Sequence, residues 1–309
     1  MPEKTDLVVL GYSVEAFRDI ANLFEGTYTA RILENFFQLL FDIGHYLLAC
    51  VAINVAVVRF FKGRTLLFSR RNELLSILFA SLAGLVSPLP TYAAIPIGIS
   101  LVATGVPFSA VMAFIISSPL MNPSIFFLTA TQLGMEMAIV RTFTAFALGV
   151  TGGLLTITFY KLIYKRQDAA EQLRQSAQRS LLGEVCGSFV CAAKYFSVAI
   201  LLSAAVKAMV PPEAITSLLG GNAKVGTLIA IGMGVPFYTC GGAAVPFVKT
   251  LMELGMSKGA TLAFFMAGPA TKLETLYAYN RLLGVKMLTF YLALTLIFSY
   301  VAGLVYSFT

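Results

Sequence analysis

The chain has 309 residues, of which 58% are hydrophobic and 12% charged, and its mean hydropathy is +0.83. Soluble domains are about one-quarter charged, so this composition excludes that class and indicates a polytopic membrane protein. The net charge of +7 lies in short basic clusters between apolar runs, which is how loops retained in the cytoplasm read, and it argues against a nucleic-acid partner.

No apolar core follows a basic start at the amino terminus, so no signal peptide is expected there. In "SVEAFRDIANLFEG", Val14, Phe17, Ile20, Ala21 and Phe24 recur at helical spacing with charges opposite. That pattern predicts an amphipathic interfacial helix within residues 1–35, with a soluble cap over the membrane domain as the alternative. Apolar segments follow at about 36–61, 74–104, 107–132, 137–162, 186–210, 225–254, 259–280 and 285–308. Each exceeds the roughly 20 residues that a helix needs to cross a bilayer. The polar stretch 160–180 separates two halves, giving a first membrane repeat at 36–162, a cytoplasmic linker at 163–185 and a second repeat at 186–309.

The halves are related. Sliding the chain by 150 places "AAIPIGISLVATGVPFSAVMAFIISSP" (93–119) over "AAVPFVKTLMELGMSKGATLAFFMAGP" (243–269) without a gap. Pro96/Pro246, Gly105/Gly255 and Pro119/Pro269 coincide, and shared Pro and Gly positions do not arise from apolar composition alone. Each half therefore contains two interrupted segments: "SPLPTYAAIP" (87–96) and "SSPLMNP" (117–123), then "VPFYTCGGAAVP" (235–246) and "AGPATKLE" (267–274). Unwound backbone is tolerated at membrane depth only where it faces protein or a polar cavity, so matched breaks in two halves point to a transporter site.

The basic loops 59–71 and 161–179 fall on one face only if 74–104 is a re-entrant hairpin rather than a span. Each half then has three full spans and one broken hairpin, and the second half is inverted relative to the first. The fold expected is thus all-α, with two inverted repeats and about eight apolar segments.

Candidate substrate-binding residues lie at the breaks. Tyr238, Thr239, Cys240, Gly241 and Gly242 form one hairpin tip and Pro90, Thr91 and Tyr92 the other, with Asn122, Thr271 and Lys272 at the second breaks. Cys240 is the one soft group there, a candidate metal ligand or a buried small hydrophobe. Cys50, Cys186 and Cys191 sit in ordinary spans, and the four cysteines lack the paired spacing of a disulfide framework or a zinc site. Helices restarting after Pro96 and Pro246 would aim free N–H groups at the tips, which suits an anionic or oxygen-rich solute. Candidate coupling groups are Asp42, His45 and Lys194 in the outer spans and Glu274 after the last break, because ionisable residues inside a membrane are functional by default. The plainer alternative for the first three is a charge near a helix end snorkelling to water. Lys249 and Glu253 are read as an ordinary i,i+4 helix pair, and Gly149, Gly152 and Gly153 as close helix packing.

The quoted motifs, above all "VPFYTCGGAAVPFVKTLMELGMSKGATLAFFMAGPATKLETL", resemble the predicted-permease family of bacterial inner membranes, the YraQ and ArsP-type group that includes organoarsenical efflux permeases. The resemblance covers about 36–309 and implies multi-pass insertion in the inner membrane and export of a small toxic solute such as a metal ion, a metalloid or an organoarsenical. Related members carry Cys-x-Cys in the first motif, where this chain has Pro90 and Tyr92. The expected activity is therefore that of a membrane permease for a small solute or ion, with the lipid bilayer and that solute as its partners and no cofactor. No nucleotide-binding motif is present, so an ion gradient would drive it, with proton antiport resting on Asp42 and His45. The rivals are a channel and an intramembrane thiol redox enzyme. The latter lacks a second cysteine at two-residue spacing, and His45 is the sole histidine.

Overall fold

The structure is a computed structural model that describes residues 72–87, 94–95, 98, 101–102, 106–163, 201, 205–206, 209, 211–234 and 244–308. Among the described residues every regular element is helical, as a lipid environment demands of a backbone that must satisfy its own polar groups. In the first half, α1 spans Glu73–Val86, α2 Phe108–Ser117, α3 Pro123–Leu133 and α4 Met135–Ile163. In the second, the short α5 (Pro212–Ile215) runs into a π-helical turn, Thr216–Gly220. Then come α6 (Ala223–Gly234), α7 (Ala244–Glu253), α8 (Lys258–Ala270), α9 (Leu273–Leu283) and α10 (Val285–Ser307).

Local chemistry sets these boundaries. Pro123 opens α3 at a position whose N–H would be unsatisfied anyway, and the Asn122 side chain accepts from Ile125 N at 2.9 Å. Ser257 caps α8 in the same way, accepting from Ala260 N at 3.3 Å. Gly134 (φ 96, ψ 157) and Gly284 (φ 85, ψ 166) turn the chain between α3 and α4 and between α9 and α10. This backbone region is essentially open to glycine alone.

Among the described residues two helices, Met135–Thr158 and Val285–Ser307, are long and apolar enough to cross a membrane, and Pro212–Gly220 with Ala223–Gly234 forms a third candidate bent by 107°. Ile139, Phe143, Leu154 and Ile157 on α4 and Ile297, Val301 and Val305 on α10 are large, apolar and exposed. Contiguous exposure of this kind fits a surface bathed in lipid. The expected segment at 107–132 is two helices, α2 and α3, parted by the turn at 118–122, and 259–280 is parted likewise at 271–272. The outer segments 36–61 and 186–210 lie almost wholly outside the described residues, as do the linker and the amino-terminal segment.

The helices recur at a fixed interval. Glu73 and Ala223 open α1 and α6, Phe108 and Lys258 open α2 and α8, Pro123 and Leu273 open α3 and α9, and Met135 and Val285 open α4 and α10. Each pair stands 150 residues apart. Packing follows the same interval. A β-carbon on Gly153 would stand 2.8 Å from Ile77, 2.9 Å from the Ser109 carbonyl oxygen and 3.1 Å from Ala113. On Gly303 it would meet Thr227 at 2.8 Å, the Gly259 carbonyl oxygen at 2.8 Å and Ala263 at 2.9 Å, the same three positions shifted by 150. These glycines let α4 lie directly on α2, and α10 on α8.

Directions follow from the same contacts. Tyr306, at the end of α10, donates to Glu136, at the start of α4, at 2.7 Å. Midway, a β-carbon on Gly152 would lie 3.2 Å from Leu294. The two long helices therefore pass antiparallel. The ends of the α6–α7 segment are also held together. Ser257 N donates to Leu219 O at 3.2 Å, and Thr216 Oγ1 to Leu254 O at 3.2 Å.

Candidate functional site

In each half, the end of an incoming helix meets a break. The last turn of α1 holds Gly84, where a β-carbon would overlap Ser117 Oγ and stand 2.8 Å from Phe114 O and 3.1 Å from Ser118 N, at the start of the 117–123 break. Ser117 Oγ donates within its own helix, to Ala113 O at 2.9 Å, and lies 3.0 Å from Ser81 O of α1. α6 finishes with Gly234, where a β-carbon would stand 3.4 Å from Gly268 N and 3.5 Å from its Cα. Pro269 follows and has no N–H to continue the α8 ladder. Thr271 Oγ1 then donates to Ala267 O at 3.3 Å and Gly268 O at 3.2 Å, and Thr275 Oγ1 to Pro269 O at 3.2 Å. Hydroxyls thus take up carbonyls left without an intrahelical donor where α8 ends.

Beside the 117–123 break lies a group that the sequence reading does not single out. Arg141, on α4, is fully buried. Its Nη1 donates to Thr129 Oγ1 of α3 at 3.0 Å, and its Nη2 lies 3.4 Å from Leu120 O within the break. The guanidinium also sits 4.0 Å from the ring centroid of Phe265 on α8, so the cation spans both halves. At the offset of 150, Arg141 corresponds to Tyr291 and Thr129 to Tyr279. Those two rings stack, with centroids 4.1 Å apart and 13° between planes. Both are buried, and among the described residues the Tyr279 hydroxyl has no hydrogen-bond partner; nor do those of Thr227 and Thr261. A signal for Arg141 was present in the sequence: it is a cation inside "AIVRTFTAFALG", at a position that carries an uncharged residue in the other repeat.

One end of the molecule carries an exposed polar cluster. Lys258 Nζ contacts both Glu136 carboxylate oxygens at 2.9 Å, alongside the Tyr306 bond. Lys249 corrects an expectation. It donates to Gln132 Oε1 of α3 at 3.1 Å, and no Lys249–Glu253 ion pair occurs among the described residues. A partner from the other half is preferred to the neighbour one turn away.

Among the expected site residues, Asn122 and Thr271 lie at the two second breaks, with their polar atoms engaged in capping their own helices. Lys272 is half-buried at the N-cap of α9, and Glu274 belongs to the first turn of that helix. Tyr238, Thr239, Cys240, Gly241 and Gly242, then Pro90, Thr91 and Tyr92, and the coupling candidates Asp42, His45 and Lys194 all lie outside the described residues. Among the described residues no three His, Cys, Asp or Glu side chains gather as metal ligands.

Comparison with known proteins places the chain. Residues 28–308 match a family described as "Predicted permease". The UPF0718 protein MJ0584 of Methanocaldococcus jannaschii is 31% identical over 160 residues, half of this chain and 41% of that protein's length. The UPF0718 protein YcgR of Bacillus subtilis is 24% identical over 215 residues, 67% of this chain and 72% of that protein. Neither name specifies a substrate. No solved structure matches. With the family match running over nearly the whole sequence and two apolar helices long enough to span a bilayer, this chain belongs to the predicted-permease family of membrane proteins.

Proposed function

We propose that the protein is a permease that exports a small solute by alternating access between two inverted repeats, driven by an ion gradient. The observation that carries this reading is the meeting, in each half, of an incoming helix end with a broken helix: Gly84 on the 117–118 break and Gly234 on Gly268. Inversion is supported by the antiparallel course of α4 and α10, which occupy equivalent places in the 150-residue repeat. Re-entry of the second hairpin is supported by the bonds that tie residues 216–219 to 254–257. The solute would bind between the hairpin tips and the second breaks, at Tyr238 to Gly242, Pro90 to Tyr92, Asn122, Thr271 and Lys272. Backbone groups freed by the breaks would do most of the recognition, and Cys240 would supply a soft contact. Asp42, His45, Lys194 and Glu274 are the candidates for ion coupling. Metal ions, metalloids, organoarsenicals and small anions are the solute classes considered, and the bacterial inner membrane the location.

A sensitivity screen of cells lacking or overproducing the protein, against metals, arsenite, organoarsenicals and oxyanions, tests export. Overproduction should protect against one class, and Cys240→Ala should abolish protection only if the thiol binds solute. Uptake into proteoliposomes that saturates and follows an imposed pH gradient is the expected carrier behaviour; flux that rises linearly with concentration and ignores the gradient would identify a channel. Cysteines placed at 64 and 165 should both be labelled from the cytoplasm, and labelling from opposite faces would overturn the inverted arrangement.

A further inference from the structure

We propose that Arg141 is the charge-selecting residue of this permease and that the transported solute is a small anion bearing two or more oxygens. The proposal rests on the permease reading and narrows its substrate class.

Three observations converge. First, Arg141 is fully buried on a membrane-spanning helix, and a guanidinium stays ionised at every physiological pH. Packing does not require that charge. The equivalent position in the second half holds Tyr291, which fills its space by stacking on Tyr279. The same frame thus has an uncharged solution, and a cation retained in the membrane against its desolvation cost is a functional feature rather than a filler.

Second, the charge is placed where the broken segments of the two halves approach. Its Nη2 faces Leu120 O in the 117–123 break, and the guanidinium lies over Phe265, four residues before Pro269 in the 267–274 break. Phe265 is itself fully buried, and Phe264 and Phe247 continue the aromatic wall away from it at centroid separations of 6.2 and 6.1 Å. Low-polarity surroundings of this kind strengthen the field of a fixed charge.

Third, the neighbouring backbone has the same sign. The helices α3 and α9 both begin at the breaks, so their partly positive N-terminal ends lie there; Asn122 caps one N–H of α3, and half-buried Lys272 stands at the N-cap of α9, two residues before Glu274. A positive potential from a guanidinium and two helix starts repels metal cations and favours an anion. The planar fork of Arg matches a carboxylate, phosphate-like or arsonate-like group with two oxygens.

The test uses the full-length protein in proteoliposomes. Sulfate, phosphate, arsenate and methylarsonate serve as oxyanion probes, with zinc as the cation and arsenite, uncharged at neutral pH, as the neutral control. Wild type should move at least one oxyanion saturably. Arg141→Gln should lower that flux by roughly tenfold or more, the scale of one charge-assisted bidentate contact. Arg141→Lys, which keeps the charge and loses the fork, should retain flux with KM raised several-fold, a split that a purely structural brace would not produce. Should Arg141→Gln fail to assemble as judged by size exclusion, the KM shift of Arg141→Lys carries the test alone, and an unchanged KM overturns the proposal. Transport of zinc or arsenite alone by wild type, or full oxyanion flux in Arg141→Gln, would overturn the anion assignment and leave the permease intact. No flux of any probe by wild type would instead bring down the permease reading and the proposal with it.

Discussion

Superposed at an offset of 150, the two halves agree in their frame and disagree in what fills it. Gly153 and Gly303 receive the same three neighbours, and Gly134 and Gly284 make the same left-handed reversal before the long helix. Arg141 falls on Tyr291, Thr129 on Tyr279 and Asn122 on Lys272, three pairs with different chemistry. At the ends, Ser109 donates to Glu73 at 2.6 Å in the first half, where the second has Gly259 and Ala223. The frame is thus set by residues whose backbones approach closely or turn sharply, and Gly153/Gly303 and Gly134/Gly284 are kept in both halves. Side chains that line the breaks are free to diverge, and divergence is what makes a nearly symmetric scaffold chemically one-sided.

The frame is most easily broken at its glycines. Gly153→Leu and Gly303→Leu should each remove most folded protein from the membrane, measured as the monodisperse peak of a fluorescent fusion in size exclusion. The new side chain meets backbone carbonyls within 2.9 Å and cannot push them aside, so the cost is at or above the roughly 1–3 kcal/mol of ordinary overpacking. Similar losses at both positions sharpen the comparison. A tolerated leucine at either one would mean that the halves do not pack alike.

The fillers should respond unequally. Thr129→Val removes the acceptor from a buried charged hydrogen bond, so a stability loss of about 1.5–3 kcal/mol is expected. The equivalent change, Tyr279→Phe, removes a buried hydroxyl that has no partner among the described residues, so thermal unfolding should be unchanged or shifted upward. Equal losses at both positions would deny the asymmetry. Between these extremes, Gly134→Ala and Gly284→Ala impose a side chain on a glycine-only backbone region, costing about 1–3 kcal/mol each. There is open space around both residues, so backbone strain alone is tested and the two values should agree.

Much of the frame was legible in the sequence, because Pro and Gly act locally and the repeat doubles their signal. The breaks at 117–123 and 267–274 interrupt helices in the structure, and Gly149, Gly152 and Gly153 mark close approach, as the small-residue pattern implies. Arg141 was passed over for a physical reason: one cation within some twenty apolar residues barely alters the hydropathy of the run. Only the comparison with Tyr291 reveals it as an exception. Lys249 was assigned to Glu253 because spacing on one helix is visible in sequence, whereas Gln132, on a helix of the other half, is not. The same blindness hid the contact between Lys258 and Glu136, which are 122 residues apart.

That last contact gives the smallest expected effect and the finest test of how the halves communicate. Glu136, Lys258 and Tyr306 come from α4, α8 and α10 and meet at one end of the molecule, yet the Glu136 and Lys258 side chains are 62% and 56% exposed. Water and salt screen such pairs, so most contribute little to stability. Glu136→Gln should therefore leave thermal unfolding within experimental scatter, even in low salt. Its place across the two halves still allows a kinetic role. If the outer ends of α4 and α10 separate during transport, loss of the bond would speed opening there and raise flux by a small factor without altering the solute's KM. Increased flux at unchanged stability would make the cluster a latch between unlike halves. Unchanged flux would leave it a solvated contact, and the coupling of the halves would then fall to contacts such as Lys249 on Gln132 and Arg141 on Phe265.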